Sequence, residues 1–123
     1  MIRLSSLFCL LVVVFFVHGQ KYQSKYDNID VDSILTNRRV LKSYLRCILD
    51  EGPCPPPARE VRMYIPEAIT NNCAKCTDQQ IKIVKKTSKF ILKNNPDDWE
   101  RISRKFDPDR KYKDNFLRFI NTQ

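Results

Sequence analysis

Four cysteines, Cys47, Cys54, Cys73 and Cys76, stand at the spacing Cys-x6-Cys-x18-Cys-x2-Cys, and what they become constrains the fold more than any other feature. Their fate depends on the compartment. Arg3 makes the start of the chain positive, and Leu7 to Val17 is an almost unbroken apolar run. That run is shorter than the about 20 apolar residues a bilayer span needs. Val17 and Gly19 then occupy the −3 and −1 positions of a cut before Gln20. This three-part layout predicts a signal peptide over residues 1–19 and a secreted, extracellular product. In that oxidising route four cysteines imply two disulfides, with three possible pairings.

Losing the leader changes the inventory. Removing 19 of 123 residues leaves 104, enough for a single domain over residues 20–123. Cys9 leaves, so five cysteines become four. Arg3 leaves, so the net charge falls from +8 to +7. His18 leaves, and it is the chain's one histidine, which removes Ser-His-Asp and Cys-His machinery and any imidazole metal ligand. Gly19 leaves too, so Gly52 is the one glycine remaining, and no Gly-rich loop can cradle a phosphate. No paired-carboxylate spacing stands out among the acids. The chain is therefore not expected to be an enzyme, and no cofactor or metal is expected.

The pattern along the chain is helical throughout. Gln20 to Asn28 is polar and reads as an arm leading into the domain. Asp30 caps a short helix over Val31 to Leu35. Asn37 caps a second, in which Val40, Leu41, Tyr44, Leu45, Ile48 and Leu49 recur at helical spacing. Gly52 lies where a left-handed stop is wanted. Pro53 to Pro57 reads as a rigid turn around Cys54. A third helix is expected from Ala58 towards Thr70, kinked or broken at Pro66.

Thr77 and Gln80 have capping-box spacing and open a fourth helix. Its apolar arc, Ile81, Ile83, Val84, Phe90, Ile91 and Leu92, covers about half the wheel, wider than a simple surface helix needs. That width predicts a central helix. Lys82, Lys85, Lys86, Lys89 and Lys93 fill the other face. Asn95-Pro96-Asp97-Asp98 reads as the capped start of a fifth helix, with Trp99, Ile102 and Phe106 on one face. A last helix is expected from Arg110 to Asn121, striped by Tyr112, Phe116, Phe119 and Ile120. Sustained period-2 alternation is absent. The expected fold is all-α, an irregular bundle of five to six short helices.

Local pairing, Cys47 with Cys54 and Cys73 with Cys76, fits this helix reading, because the first two bracket the turn after helix two and the last two precede helix four. A four-thiolate zinc site is the first alternative, but x6 exceeds the usual pair spacing. A redox-active Cys73-Ala74-Lys75-Cys76 is the second, but no βαβ pattern surrounds it.

Several motifs together carry a family resemblance. The runs Lys25-Tyr26-Asp27-Asn28-Ile29-Asp30 and Asn37-Arg38-Arg39-Val40-Leu41, with Tyr44 and the four-cysteine spacing, resemble the insect chemosensory proteins, the OS-D-like family. So do Pro66-Glu67-Ala68, Cys73-Ala74-Lys75-Cys76-Thr77, Trp99, and Phe106-Asp107-Pro108 with Tyr112. The similarity covers essentially the whole chain after the leader. It implies six helices around a hydrophobic channel and the two local disulfides. It further implies reversible binding of long-chain fatty acids, alcohols, esters or semiochemicals.

By type alone Tyr44 and Trp99 are core aromatics. The resemblance puts Tyr26, Tyr44 and Trp99 in or beside the channel. Ile48, Val84, Ile91 and Ile102 are candidate channel walls, although core packing explains them equally well. A competing reading is a cationic, membrane-active or defence-type protein that uses the lysine face of helix four, with weak contact to an anionic membrane surface. A solvated face that maintains solubility explains those lysines more simply. Nucleic acid is not an expected partner, since no recognition module is present. The expected state is a monomer.

Overall fold

The protein is described here by a computed structural model of residues 28–122. The expected leader with its expected cleavage site, most of the polar arm and Tyr26 lie outside the described residues. Six helices follow one another: α1 Val31–Thr36, α2 Arg38–Ile48, α3 Pro56–Asn71, α4 Asp78–Asn94, α5 Pro96–Phe106 and α6 Lys113–Asn121. Among the described residues no strand forms, so the all-α expectation holds.

The helix starts follow from local hydrogen bonding. Asp30 accepts from the Ser33 hydroxyl at 2.6 Å and from the Ser33 N–H at 3.2 Å. Those bonds to the charged form hold its carboxyl below the ordinary aspartate range. Asn37 accepts from the Val40 N–H at 3.2 Å and separates α1 from α2. The capping box of α4 is complete. Thr77 Oγ1 accepts from the Gln80 N–H at 3.1 Å, and Gln80 Oε1 accepts from the Thr77 N–H at 3.0 Å.

The end of α2 differs from expectation. The left-handed residue is Asp50, with φ 60°, and Gly52 lies outside that region. The Glu51 N–H bonds the Arg46 carbonyl at 2.7 Å and the Asp50 N–H bonds the Cys47 carbonyl at 3.1 Å. That is the Schellman arrangement, two residues earlier than the glycine suggests. Aspartate tolerates this conformation better than most side chains. Asp50 also pairs with Arg62 of α3 and Lys105 of α5, which ties the turn to both helices.

Two expectations about proline are also corrected. The rigid turn ends at Pro55, because α3 begins at Pro56. The first turn of a helix has no use for its N–H groups, so Pro56 and Pro57 fit there. The break expected at Pro66 does not occur, and α3 runs on to Asn71. Pro66 is exposed, while its neighbours Ile65, Ala68 and Ile69 are packed into the core and hold the helix across it.

Asn95 supplies no side-chain cap to α5. Its backbone instead ends one helix and starts the next, donating to the Ile91 carbonyl at 2.8 Å and accepting from the Trp99 N–H at 3.0 Å. The last helix starts at Lys113 rather than Arg110, whose φ is 56°. Asp107, 7% exposed, dictates this. Its two carboxylate oxygens accept from the N–H groups of Lys111 and Tyr112, each at 3.0 Å.

Both disulfides are local. Cys47 is bonded to Cys54, with Cα atoms 4.8 Å apart, and Cys73 to Cys76, with Cα atoms 5.2 Å apart. The core has two parts. One gathers Leu35, Leu41, Leu45, Ile48, Ile91 and Ile102. The other gathers Ala68, Ile69, Phe116 and Ile120 around the second disulfide. Ile65, Trp99 and Phe106 pack against both. Helix α4 contacts α1, α5 and α6, which makes it central as its wide apolar arc predicts. That arc is narrower than the sequence implied, however, because Leu92 is 37% exposed.

An apolar cavity as the candidate functional site

The two parts of the core, joined through Ile65, Trp99 and Phe106, do not fill all the space between them. Between them lies a cavity of about 180 Å³ to which all six helices contribute. Its walls are short stretches of each amphipathic stripe. Helix α2 supplies Leu41, Tyr44, Leu45 and Ile48, and α3 supplies Val61, Ile65, Ala68 and Ile69. From α4 come Ile83, Val84, Thr87, Ser88 and Ile91, at helical spacing. Trp99 and Ile102 project from α5, and Tyr112 and Phe116 close the side next to α6.

Six of the seven sequence-predicted ligand positions therefore face one space: Tyr44, Ile48, Val84, Ile91, Trp99 and Ile102 all line the cavity. The seventh, Tyr26, lies outside the described residues. Ile48, Ile91 and Ile102 are also members of the first core cluster, so they wall the cavity and pack the fold at once.

The sequence reading missed the polar groups that reach this space. Tyr64, 8% exposed, donates from its hydroxyl to Glu60 Oε1 at 2.8 Å. Gln80, 4% exposed, donates from Nε2 to the Tyr64 hydroxyl at 3.5 Å. All three line the cavity. Gln80 thus has two roles, since its Oε1 completes the capping box while its amide nitrogen turns inward. A signal existed: Glu60, Tyr64 and Ala68 follow one another at i, i+4 spacing, on the side of α3 that carries Val61, Ile65 and Ile69. A second polar group at the wall is the Glu100–Arg110 ion pair between α5 and the turn before α6.

The lysines of α4 lie away from the cavity. Lys82, Lys86, Lys89 and Lys93 are exposed, and Lys86 pairs with Asp32 at 2.7 Å. Lys85 donates to the Thr122 carbonyl at 3.2 Å and to its hydroxyl at 3.0 Å, and sits 5.0 Å from the centroid of the Phe119 ring. Among the described residues no helix is long and apolar enough to cross a membrane, and no group of three or more His, Cys, Asp or Glu could hold a metal ion.

Known proteins are similar to this chain in sequence and in architecture. The ejaculatory bulb-specific protein 3 of Drosophila melanogaster is 38% identical over 103 residues, covering 84% of this chain and 82% of that protein. A chemosensory protein solved in complex with bromo-dodecanol superposes with a TM-score of 0.72 at 35% identity, covering 78% of this chain and 96% of that one. The antennal chemosensory protein A6 of the moth Mamestra brassicae gives 0.69 at 33% identity, covering 80% and 92%. Residues 22–114 match the model of the insect pheromone-binding family, A10/OS-D, and the chain belongs to that family.

Proposed function

We propose that this protein is a secreted carrier that reversibly binds small hydrophobic compounds in its internal cavity. The observation that carries the reading is an apolar space walled by every helix of the bundle, with a few polar groups placed to orient a ligand. The bromo-dodecanol bound by the related chemosensory protein supports it. Long-chain fatty acids, alcohols, esters and semiochemicals are the ligand set that family membership brings. Tyr44, Ile48, Val84, Ile91, Trp99 and Ile102 are the proposed contacts, with Tyr26 added from the sequence. A monomer suffices, since one chain supplies the whole wall.

Size adds a condition. A volume of about 180 Å³ is below the roughly 300 Å³ at which ligand pockets begin. A long alkyl chain therefore has to displace wall side chains as it enters. Half-buried Tyr44, Trp99 and Tyr112 are the bulky candidates to move.

The cationic, membrane-active reading requires α4 to turn its apolar face towards lipid. That face is built into the cavity wall through Ile83, Val84, Thr87 and Ile91. Fluorescent fatty-acid uptake and vesicle leakage, measured on the same protein, separate the two. A carrier takes up the probe saturably and leaves anionic vesicles intact. Leakage without saturable uptake would reject the carrier.

A further inference from the structure

A second space lies on the outside of the bundle. It is a groove of about 810 Å³ between α2 and α5, to which the ends of α1 and α4 also contribute. That volume is within the roughly 300–1,000 Å³ of ligand sites. Its floor is apolar: Leu35, Leu41 and Leu45 are buried there, and Leu49 and Phe90 are half-buried. The first three leucines wall the internal cavity as well, so one layer of side chains separates the two spaces. Above this floor Arg38, Lys42 and Arg46 form an exposed rim, one turn of α2 apart. Each stands three residues before Leu41, Leu45 or Leu49, so the cationic and apolar ridges of α2 are neighbours. The groove holds two acids, Glu51 and Asp98, and Arg101 pairs with both. Arg46 is tied back to the Glu51 carbonyl at 3.2 Å. Among the described residues Arg38 and Lys42 form no ion pair, so the surplus positive charge of the rim resides on these two.

We propose that this groove is a second binding site, separate from the cavity, and that it takes a free single-chain amphiphile with an anionic head, a long-chain carboxylate. Arg38 and Lys42 hold the carboxylate, and the alkyl chain lies along Leu41, Leu45 and Leu49. A guanidinium and an ammonium one helical turn apart can both donate to the two oxygens of one head group. The rim is open to water, so the ion pairs are screened and contribute modestly. Covering the leucine floor supplies the rest, in proportion to the chain length it removes from water. A neutral alcohol has nothing for the rim to hold and gains only the floor. A bilayer surface does not reach a floor that is already buried, whereas a single alkyl chain fits into the groove. The site stands independently of the carrier reading, because Trp99 and the other inner walls take no part in it.

The test is calorimetric titration with dodecanoate and with butyrate at about pH 8, where both acids are ionised. It is run with decanol present at a concentration that saturates the Trp99 emission change. Dodecanoate should still bind at about one per protein, more weakly as salt is added, and far more tightly than butyrate. Arg38→Gln with Lys42→Gln should weaken dodecanoate roughly fivefold, the size of two exposed ion pairs, and leave decanol binding at Trp99 unchanged. Both side chains are exposed, so the double variant should fold, which circular dichroism verifies. Complete displacement of dodecanoate by decanol would overturn the proposal, as would equal affinity for butyrate or an unchanged affinity in the double variant. Sedimentation with phosphatidylserine vesicles is the second arm. Vesicle binding that the double variant loses, with dodecanoate binding intact, would assign the rim to a lipid surface and overturn the proposal too. Decanol binding without any dodecanoate binding leaves the carrier reading standing and removes the groove, whereas rim-dependent dodecanoate binding without any decanol signal does the reverse.

Discussion

Trp99 of α5 stacks on Phe116 of α6, with ring centroids 5.9 Å apart and planes 16° from parallel. The pair stands where the two parts of the core meet, and both rings line the cavity. Trp99 is thus at once a packing residue and a wall residue, and the two roles respond differently to substitution.

Trp99→Phe preserves most of the apolar ring and should keep the fold, while weakening ligand binding by about 1 kcal/mol. Trp99→Ala leaves a void beside Phe116 and should destabilise by roughly 3 kcal/mol or more. Thermal melts and ligand titrations on the two variants check this. A Trp99→Ala protein as stable as the parent would show that the stacked pair contributes nothing to packing.

Reduction of the disulfides should lower the melting temperature while leaving most of the helical signal at about 25 °C. Each bridge closes a short loop, and on the entropy model such a loop contributes roughly 2 kcal/mol. The helices they staple retain their own caps at Asn37 and Thr77. Circular dichroism before and after mild reduction reads the outcome. Complete loss of helicity would mean that the bridges define the fold rather than fasten helix ends.

Which parts of this were legible in the sequence follows from how local their causes are. The caps at Asp30, Asn37 and Thr77 with Gln80 are bonds between residues three apart, so the chain displays them directly. The end of α2 was misread because a glycine attracts the left-handed assignment, whereas the turn is set by Asp50, whose partners Arg62 and Lys105 are remote in sequence. Pro66 was misread for a related reason, since the helix survives there through packing of Ile65, Ala68 and Ile69. In the site, apolar wall positions such as Val84 and Ile91 emerge from helical periodicity. Glu60, Tyr64 and Gln80 do not, because a wheel counts polar residues as outward-facing and their inward turn depends on each other.

Asp50 makes stability depend on acid. Its carboxyl is held below the ordinary value of 3.8 by the hydrogen bond from Lys105, aided by the charges of Arg62 and Lys105. A depressed folded-state pKa contributes stability that is present above 3.8 and is lost as pH falls through the lower, folded value. Asp50→Asn should therefore melt below the parent at neutral pH and converge with it in acid. High salt should also narrow the gap, because the group is exposed and screened. A gap that persists unchanged in strong acid would place the effect in the backbone of the turn instead.

The central claim is that an internal cavity, not the basic surface, holds the ligand. Trp99 is the chain's one tryptophan, so its emission reports a single place on the cavity wall. The direct measurement is a titration with a neutral long-chain alcohol, followed by Trp99 fluorescence at low and at high salt. The account predicts blue-shifted emission before ligand and a saturable change at about one ligand per protein. It also predicts an affinity that salt barely alters, because screening acts on exposed charges. Emission typical of exposed tryptophan and unmoved by bound ligand, or an affinity that falls steeply with salt, would contradict it.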